Sequence, residues 1–178
     1  MLRHMVGLLC SVSLTKSRSV VLVRGYSRII IHVGTNDLSD FVDGGESRYV
    51  TLFGILNRFR ALRNVIRRKN KNALLLFSSV LPRFSRYDTF KPLAHGLNFA
   101  LEKLCAKSNG SNIFVPSYRR FLSHGSPRDE LFSERDGLHL NGAGVVELSA
   151  CFQQALSTRH LMGRVGLKRR KKLSKLSY

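Results

Sequence analysis

The sequence predicts an α/β fold in which a parallel sheet is covered by helices on both faces. Short apolar runs ending in glycine, serine or proline alternate with longer segments of helical periodicity. The runs are continuously apolar rather than alternating, as in strands buried on both faces. A chain of 178 residues with 43% apolar composition can bury one sizeable core, and its length requires no second domain.

Taken in order, Ile29-Ile30-Ile31-His32-Val33 is rich in β-branched residues and stops at Gly34, which reads as a buried strand ending in a loop. From Tyr49 to Lys69, the residues Leu52, Ile55, Leu56, Phe59, Leu62 and Ile66 recur at helical spacing with arginines between them, a surface helix packed on the sheet. Ala73 to Phe77 is a second strand, closed by Ser78, Ser79 and the turn at Pro82. Leu93, Leu97, Ala100, Leu101 and Leu104 mark the next helix. Ile113-Phe114-Val115 is a third strand ended by Pro116, and the polar stretch from Ser117 to Arg135 reads mostly as loop. A last helix begins near Gly142, with Asn141 as its N-cap and Val145, Leu148, Phe152, Ala155 and Leu156 as its apolar stripe.

These elements define a domain over residues 29–158, between a poorly defined segment 1–28 and a basic tail 159–178. The formal charge is +19, concentrated at the ends: residues 1–28 hold five Lys/Arg and no acid, and residues 159–178 hold eight. Lys168-Arg169-Arg170-Lys171-Lys172 is a run of like charges that resists folding and attracts polyanions, nucleic acid or import receptors, so the tail is expected to be disordered. The cations between Arg58 and Lys71 read first as a solvated helix face and second as a nucleic-acid patch. Met1 to Leu14 shares features with a signal peptide, and the acid-free first 28 residues share composition with transit peptides; both readings stay open. No apolar run reaches the length of a transmembrane helix. Cys10, Cys105 and Cys151 have no C-x-x-C spacing, which suits reduced buried thiols rather than a disulfide framework or a zinc site, and no metal or cofactor is expected. The odd cysteine number, the short apolar stretch and the basic cluster favour an intracellular setting without defining the compartment.

Two motifs fall where an open parallel sheet places its reactive crevice, at the carboxyl ends of strands. Gly34-Thr35-Asn36-Asp37 directly follows the first strand, and Asp136-Gly137-Leu138-His139-Leu140-Asn141 precedes the last helix. An Asp three residues ahead of a His can orient the imidazole; the competing reading of a lone histidine is a local hydrogen bond in a loop. Occurring in this order, about one hundred residues apart, the two motifs resemble the third and fifth blocks of the SGNH (GDSL-type) hydrolases. His32 to Leu38, the Ser79-Val80-Leu81-Pro82-Arg83 turn and Asp136 to Asn141 also resemble esterase-like domains of metazoan gene models and retrotransposon reading frames.

The resemblance implies a three-layer α/β/α, flavodoxin-like fold and a serine esterase acting on ester bonds. In it His139 is the base, Asp136 holds the tautomer of His139, and the Asn36 amide donates to the oxyanion. Gly34 and Asp37 are supporting residues, the first for a sharp turn and the second for bonds to nearby backbone. The family also has a strand, a Gly-Asp-Ser at the head of a helix, a second strand and a glycine-bearing block before the equivalent of Ile29–Val33. No Gly-Asp-Ser occurs in this sequence, and Ser11, Ser13, Ser17, Ser19 and Ser27 lack its context, so the nucleophile is unassigned. The expectation is therefore an N-terminally truncated or inactive form without the first two strands. Its exposed sheet edge beside Ile29–Val33 would be open to self-association or partly covered by Val20 to Val23.

Overall fold

A computed structural model describes residues 6–10, 25–38, 48–84 and 87–173. Its elements are β1 (Val6–Cys10), β2 (Arg28–His32), α1 (Arg48–Lys69), β3 (Leu74–Ser78), α2 (Tyr87–Ala106), β4 (Asn112–Val115) and α3 (Gly142–Leu173). Between β4 and α3 lie two 3-10 turns, Ser117–Phe121 and Asp129–Leu131, and a small hairpin of β5 (Leu122–Ser123) with β6 (Ser126–Pro127).

The main sheet is parallel in the order β1-β2-β3-β4. Successive side chains of a strand point to opposite faces. Ile29, Ile31, Leu75 and Phe77 accordingly face α1 and α2, meeting Ile55, Phe59, Ile66, Leu97 and Leu101. Ile30 and Leu76 face the other way, meeting Phe121, Phe132, Leu148 and Phe152. The result is the three-layer arrangement expected, because continuously apolar strands must be covered on both sides.

Two features differ from the expectation. The edge beside Ile29–Val33 is occupied: β1 runs parallel to β2, with Val6 opposite Arg28 and Cys10 opposite His32. The run Val6-Gly7-Leu8-Leu9-Cys10, within the segment that shares features with a signal peptide, supplies the backbone partners that β2 needs. Self-association through that edge of β2 thus loses its basis, and Val20 to Val23, the cover first considered, lie outside the described residues. The last helix also does not stop near residue 158 but continues to Leu173, carrying the basic run. No proline interrupts this extension.

Of the cysteines, Cys105 and Cys151 are free and buried, and burial pushes the Cys105 thiol up to about 12. Both behave as core residues, while the Cys10 side chain lies outside the described residues. The cations of α1 are largely engaged. Arg67 donates to the carbonyls of Lys71, Ala73 and Ser111 and to Asn112 Oδ1, closing the C-terminal end of α1 onto β4. Arg60 bonds Asn57, and Arg63 bonds Asn64.

Candidate active site

At the carboxyl end of β2 the chain turns sharply at Gly34, whose φ is +110°. A Cβ there would lie 3.2 Å from both Phe59 and Val80, so both the conformation and the space call for glycine. The Leu38 N–H donates to the Gly34 carbonyl at 3.1 Å, closing a helical turn over residues 35–38. Within that turn Asp37 is buried and accepts from Arg58 Nη1 at 3.0 Å. Asp37 thus ties the turn to α1 through a partner that the motif did not reveal, whereas Asn36 is exposed and faces a cavity.

The second motif is held just before α3. Asp136 Oδ1 accepts from the backbone N–H groups of Leu138 and His139, each at 2.9 Å, and Oδ2 meets His139 Nδ1 at 2.6 Å. The backbone N–H of His139, then its ring, then the N–H of Leu138 hold the Asp136 carboxyl far below the ordinary carboxylate range. An ionised Asp136 can only accept, so Nδ1 carries the proton, and in the neutral tautomer this fixes, Nε2 is the nitrogen with the lone pair. The loop is braced by Ser133 N–H to the His139 carbonyl at 2.7 Å and by a bridge between Phe132 and Leu140.

Asn141 caps α3 as expected, its Oδ1 accepting from Gly144 N–H at 3.0 Å. Its Nδ2 also donates to the carbonyls of Glu130 and Phe132, fastening the helix start to the Asp129–Leu131 turn. Between β3 and α2, the buried Asn98 side chain brackets Val80, accepting from its N–H at 2.7 Å and donating to its carbonyl at 3.0 Å. This positions Leu81 and Pro82 on the cavity wall, which Leu138 and Leu140 also line.

The cavity has a volume of about 610 Å3 and brings together Gly34, Asn36 and His139. Asp136 stands behind His139, and Asp37 is turned away toward α1. The His139 side chain is 72% exposed, so its Nε2 side is open to an incoming molecule. Among the described residues no serine hydroxyl bonds His139; Ser149, on the wall, donates to the Val145 carbonyl. Ser27 precedes β2 at the amino end of the sheet, opposite the site. Ser11, Ser13, Ser17 and Ser19 lie outside the described residues.

One wall residue, His32, reads in the sequence only as part of an apolar strand. Its Nδ1 lies 2.9 Å from Ser78 Oγ. Because the Ser78 hydroxyl donates to the Ser79 carbonyl, His32 Nδ1 is assigned as the donor and Nε2 as the lone-pair nitrogen. Burial pushes its pKa down to about 4, leaving it neutral at pH 7. The one available signal in the sequence was a histidine at the carboxyl end of an otherwise apolar strand.

This architecture is that of the GDSL/SGNH esterases, lipases and acylhydrolases. A lipase from a goat rumen metagenome superposes with a TM-score of 0.63 at 17% identity, over 80% of this chain and 70% of that one. The esterase domain of the zebrafish ZfL2-1 retrotransposon ORF1 protein aligns at 27% identity and a TM-score of 0.52, over 73% of this chain and 68% of that domain. A GDSL-like lipase from Bacteroides thetaiotaomicron gives 19% identity and a TM-score of 0.53, over 75% of this chain and 63% of that one. The chain spans 60% of the length of a further similar structure, from Streptococcus pneumonia (TM-score 0.60, 23% identity, 74% of this chain). By sequence, neither a family model nor a curated protein matches.

Proposed function

We propose that this chain carries an SGNH-type ester site with its base, orienting carboxylate and oxyanion donor but, among the described residues, no nucleophile in reach, so that it binds esters and hydrolyses them only slowly. The observation that carries this reading is the 2.6 Å Asp136–His139 contact, which leaves a lone pair on Nε2 beside the cavity that Asn36 also lines. In the complete form of such a site, the His takes the proton of a serine hydroxyl as its oxygen attacks the carbonyl. Without the serine, His139 Nε2 can take a proton from water instead. The resulting hydroxide adds to the ester carbonyl, the Asn36 amide donates to the developing oxyanion, and the alkoxide leaves with the proton returned from His139. Loss of the serine in subtilisin lowers kcat by about a millionfold, yet oxyanion donors and binding retain roughly a thousandfold over water.

Purified protein is expected to hydrolyse short p-nitrophenyl esters slowly, without labelling by a fluorophosphonate, and to lose most of the residual rate in Asn36→Ala and His139→Ala. Rapid hydrolysis with a phosphonate adduct on a serine would show an active nucleophile and refute the slow-turnover reading. A residual rate unchanged in both variants would remove the ester site itself.

A further inference from the structure

The face of α2 turned away from the sheet carries five side chains in the order cation, ring, ring, ring, cation. Lys103 Nζ lies over the Phe99 ring, 5.1 Å from its centroid. His95, four residues before Phe99, is its neighbour along the helix surface. The His95 ring meets Tyr118 with centroids 5.7 Å apart, and the Arg119 guanidinium lies 5.9 Å from the Tyr118 centroid. Tyr118 and Arg119 belong to the 3-10 turn after β4, so the row is assembled across two elements. One turn before His95, Lys91 over Tyr87 repeats the cation and ring pairing at 5.3 Å.

The row is open to solvent. Phe99 is 61% exposed, His95, Lys103 and Arg119 are also exposed, and Tyr118 is half-buried. None of the five lines the cavity. Among the described residues neither Lys103 nor Arg119 is in a salt bridge. Glu102 is the acid whose charge acts on Arg119. A single exposed phenylalanine is ordinary, whereas three contiguous rings ended by two cations match a specific chemistry. Exposed rings stack on nucleobases whatever their identity, and the cations beside them neutralise phosphates. A duplex keeps its base faces stacked on one another, so it would meet the cations and leave the rings unused. A neutral sugar would meet the rings and leave the cations without a counter-charge.

We propose that this row binds single-stranded nucleic acid, with bases on Phe99, His95 and Tyr118 and phosphates at Lys103 and Arg119. From His95 to Lys103 the helix covers about 12 Å, comparable to three stacked nucleotides at about 3.4 Å each. The site is separate from the ester site and independent of that reading.

The test compares oligothymidylate with a deoxyribose-phosphate chain of equal length that lacks bases, each titrated into the full chain and followed by fluorescence anisotropy. The strand with bases is expected to bind about tenfold tighter. His95→Ala together with Phe99→Ala, both at exposed positions, should bring the two affinities together. The basic run on α3 attracts both probes alike and cancels in this ratio. Lys103→Ala and Arg119→Ala should each reduce the salt slope by about 0.7, and Glu102→Gln should tighten both probes. The chain has no tryptophan, so Phe99→Trp places a lone reporter in the row, expected to be quenched by the strand with bases and not by the abasic chain. The same titrations with oligouridylate distinguish a ribose from a deoxyribose strand. Equal affinity for the two probes, or a preference for bases that survives the double substitution, overturns the proposal. So does quenching of the Phe99→Trp variant by a neutral oligosaccharide such as cellohexaose, since the rings would then be a sugar platform.

Discussion

His32 shows how far a single side chain can depart from the role its position suggests. On an apolar strand it reads as core, and burial does hold it neutral, but its ring also lines the cavity and donates to Ser78. Its folded pKa lies near 4, below the ordinary histidine value of about 6.5. The unfolded chain therefore binds the extra proton first as pH falls. The stability that neutral His32 contributes is complete above about pH 6.5 and is lost progressively as pH drops toward 4. Urea midpoints measured across that window should fall with pH in the wild type and flatten in His32→Gln. A parallel acid slope in both proteins would mean that His32 is not the group responsible. Asp136 acts in a lower window: its depressed carboxyl favours the folded state above the ordinary aspartate range and ceases to do so as pH falls below it.

At the scale of elements, the site depends on how α3 begins. The Asp136–His139 loop is short, and the helix that follows is seated against the Asp129–Leu131 turn through Asn141 and through Gly144. A Cβ on Gly144 would come within 2.1 Å of the Leu131 carbonyl oxygen, a collision with backbone that no rotamer relieves. Helix propensity alone makes Gly→Ala favourable by about 1 kcal/mol. Here the close approach wins, and Gly144→Ala should destabilise the protein by about 2 kcal/mol in urea unfolding, as overpacking does. A stabilised variant would show that the helix start is not seated as described. The two motif loops were legible in the sequence because each lies beside a clear element boundary. What stood outside it was the bracing: Arg58 on Asp37, Asn98 around Val80 and Arg67 across to Ser111 join positions 18 to 44 residues apart.

For the whole molecule, charge and shape are segregated. Among the described residues the cavity wall carries no charged side chain, whereas the basic run sits on the far part of α3, beyond the sheet-packed turns. A helix bearing Lys168–Lys172 is a candidate second surface, for polyanions. Binding to duplex DNA or RNA should weaken steeply between low and moderate salt, and deletion of residues 159–178 should lower both the affinity and the salt slope. Binding that ignores salt, or survives the deletion unchanged, would remove the basis for a polyanion role.

The sequence by itself determined the strand-helix alternation, the parallel three-layer sheet and the placement of Asn36, Asp136 and His139 at strand and helix ends. Those follow from local periodicity and from motifs a few residues long. Only the tertiary structure decided that Val6–Cys10 pairs with β2, that α3 runs on to Leu173, that Asp37 belongs to Arg58, and that His32 and Val145 face the cavity. Strand pairing, burial and cavity shape depend on contacts between residues far apart in the chain, where no local pattern records which partner is met.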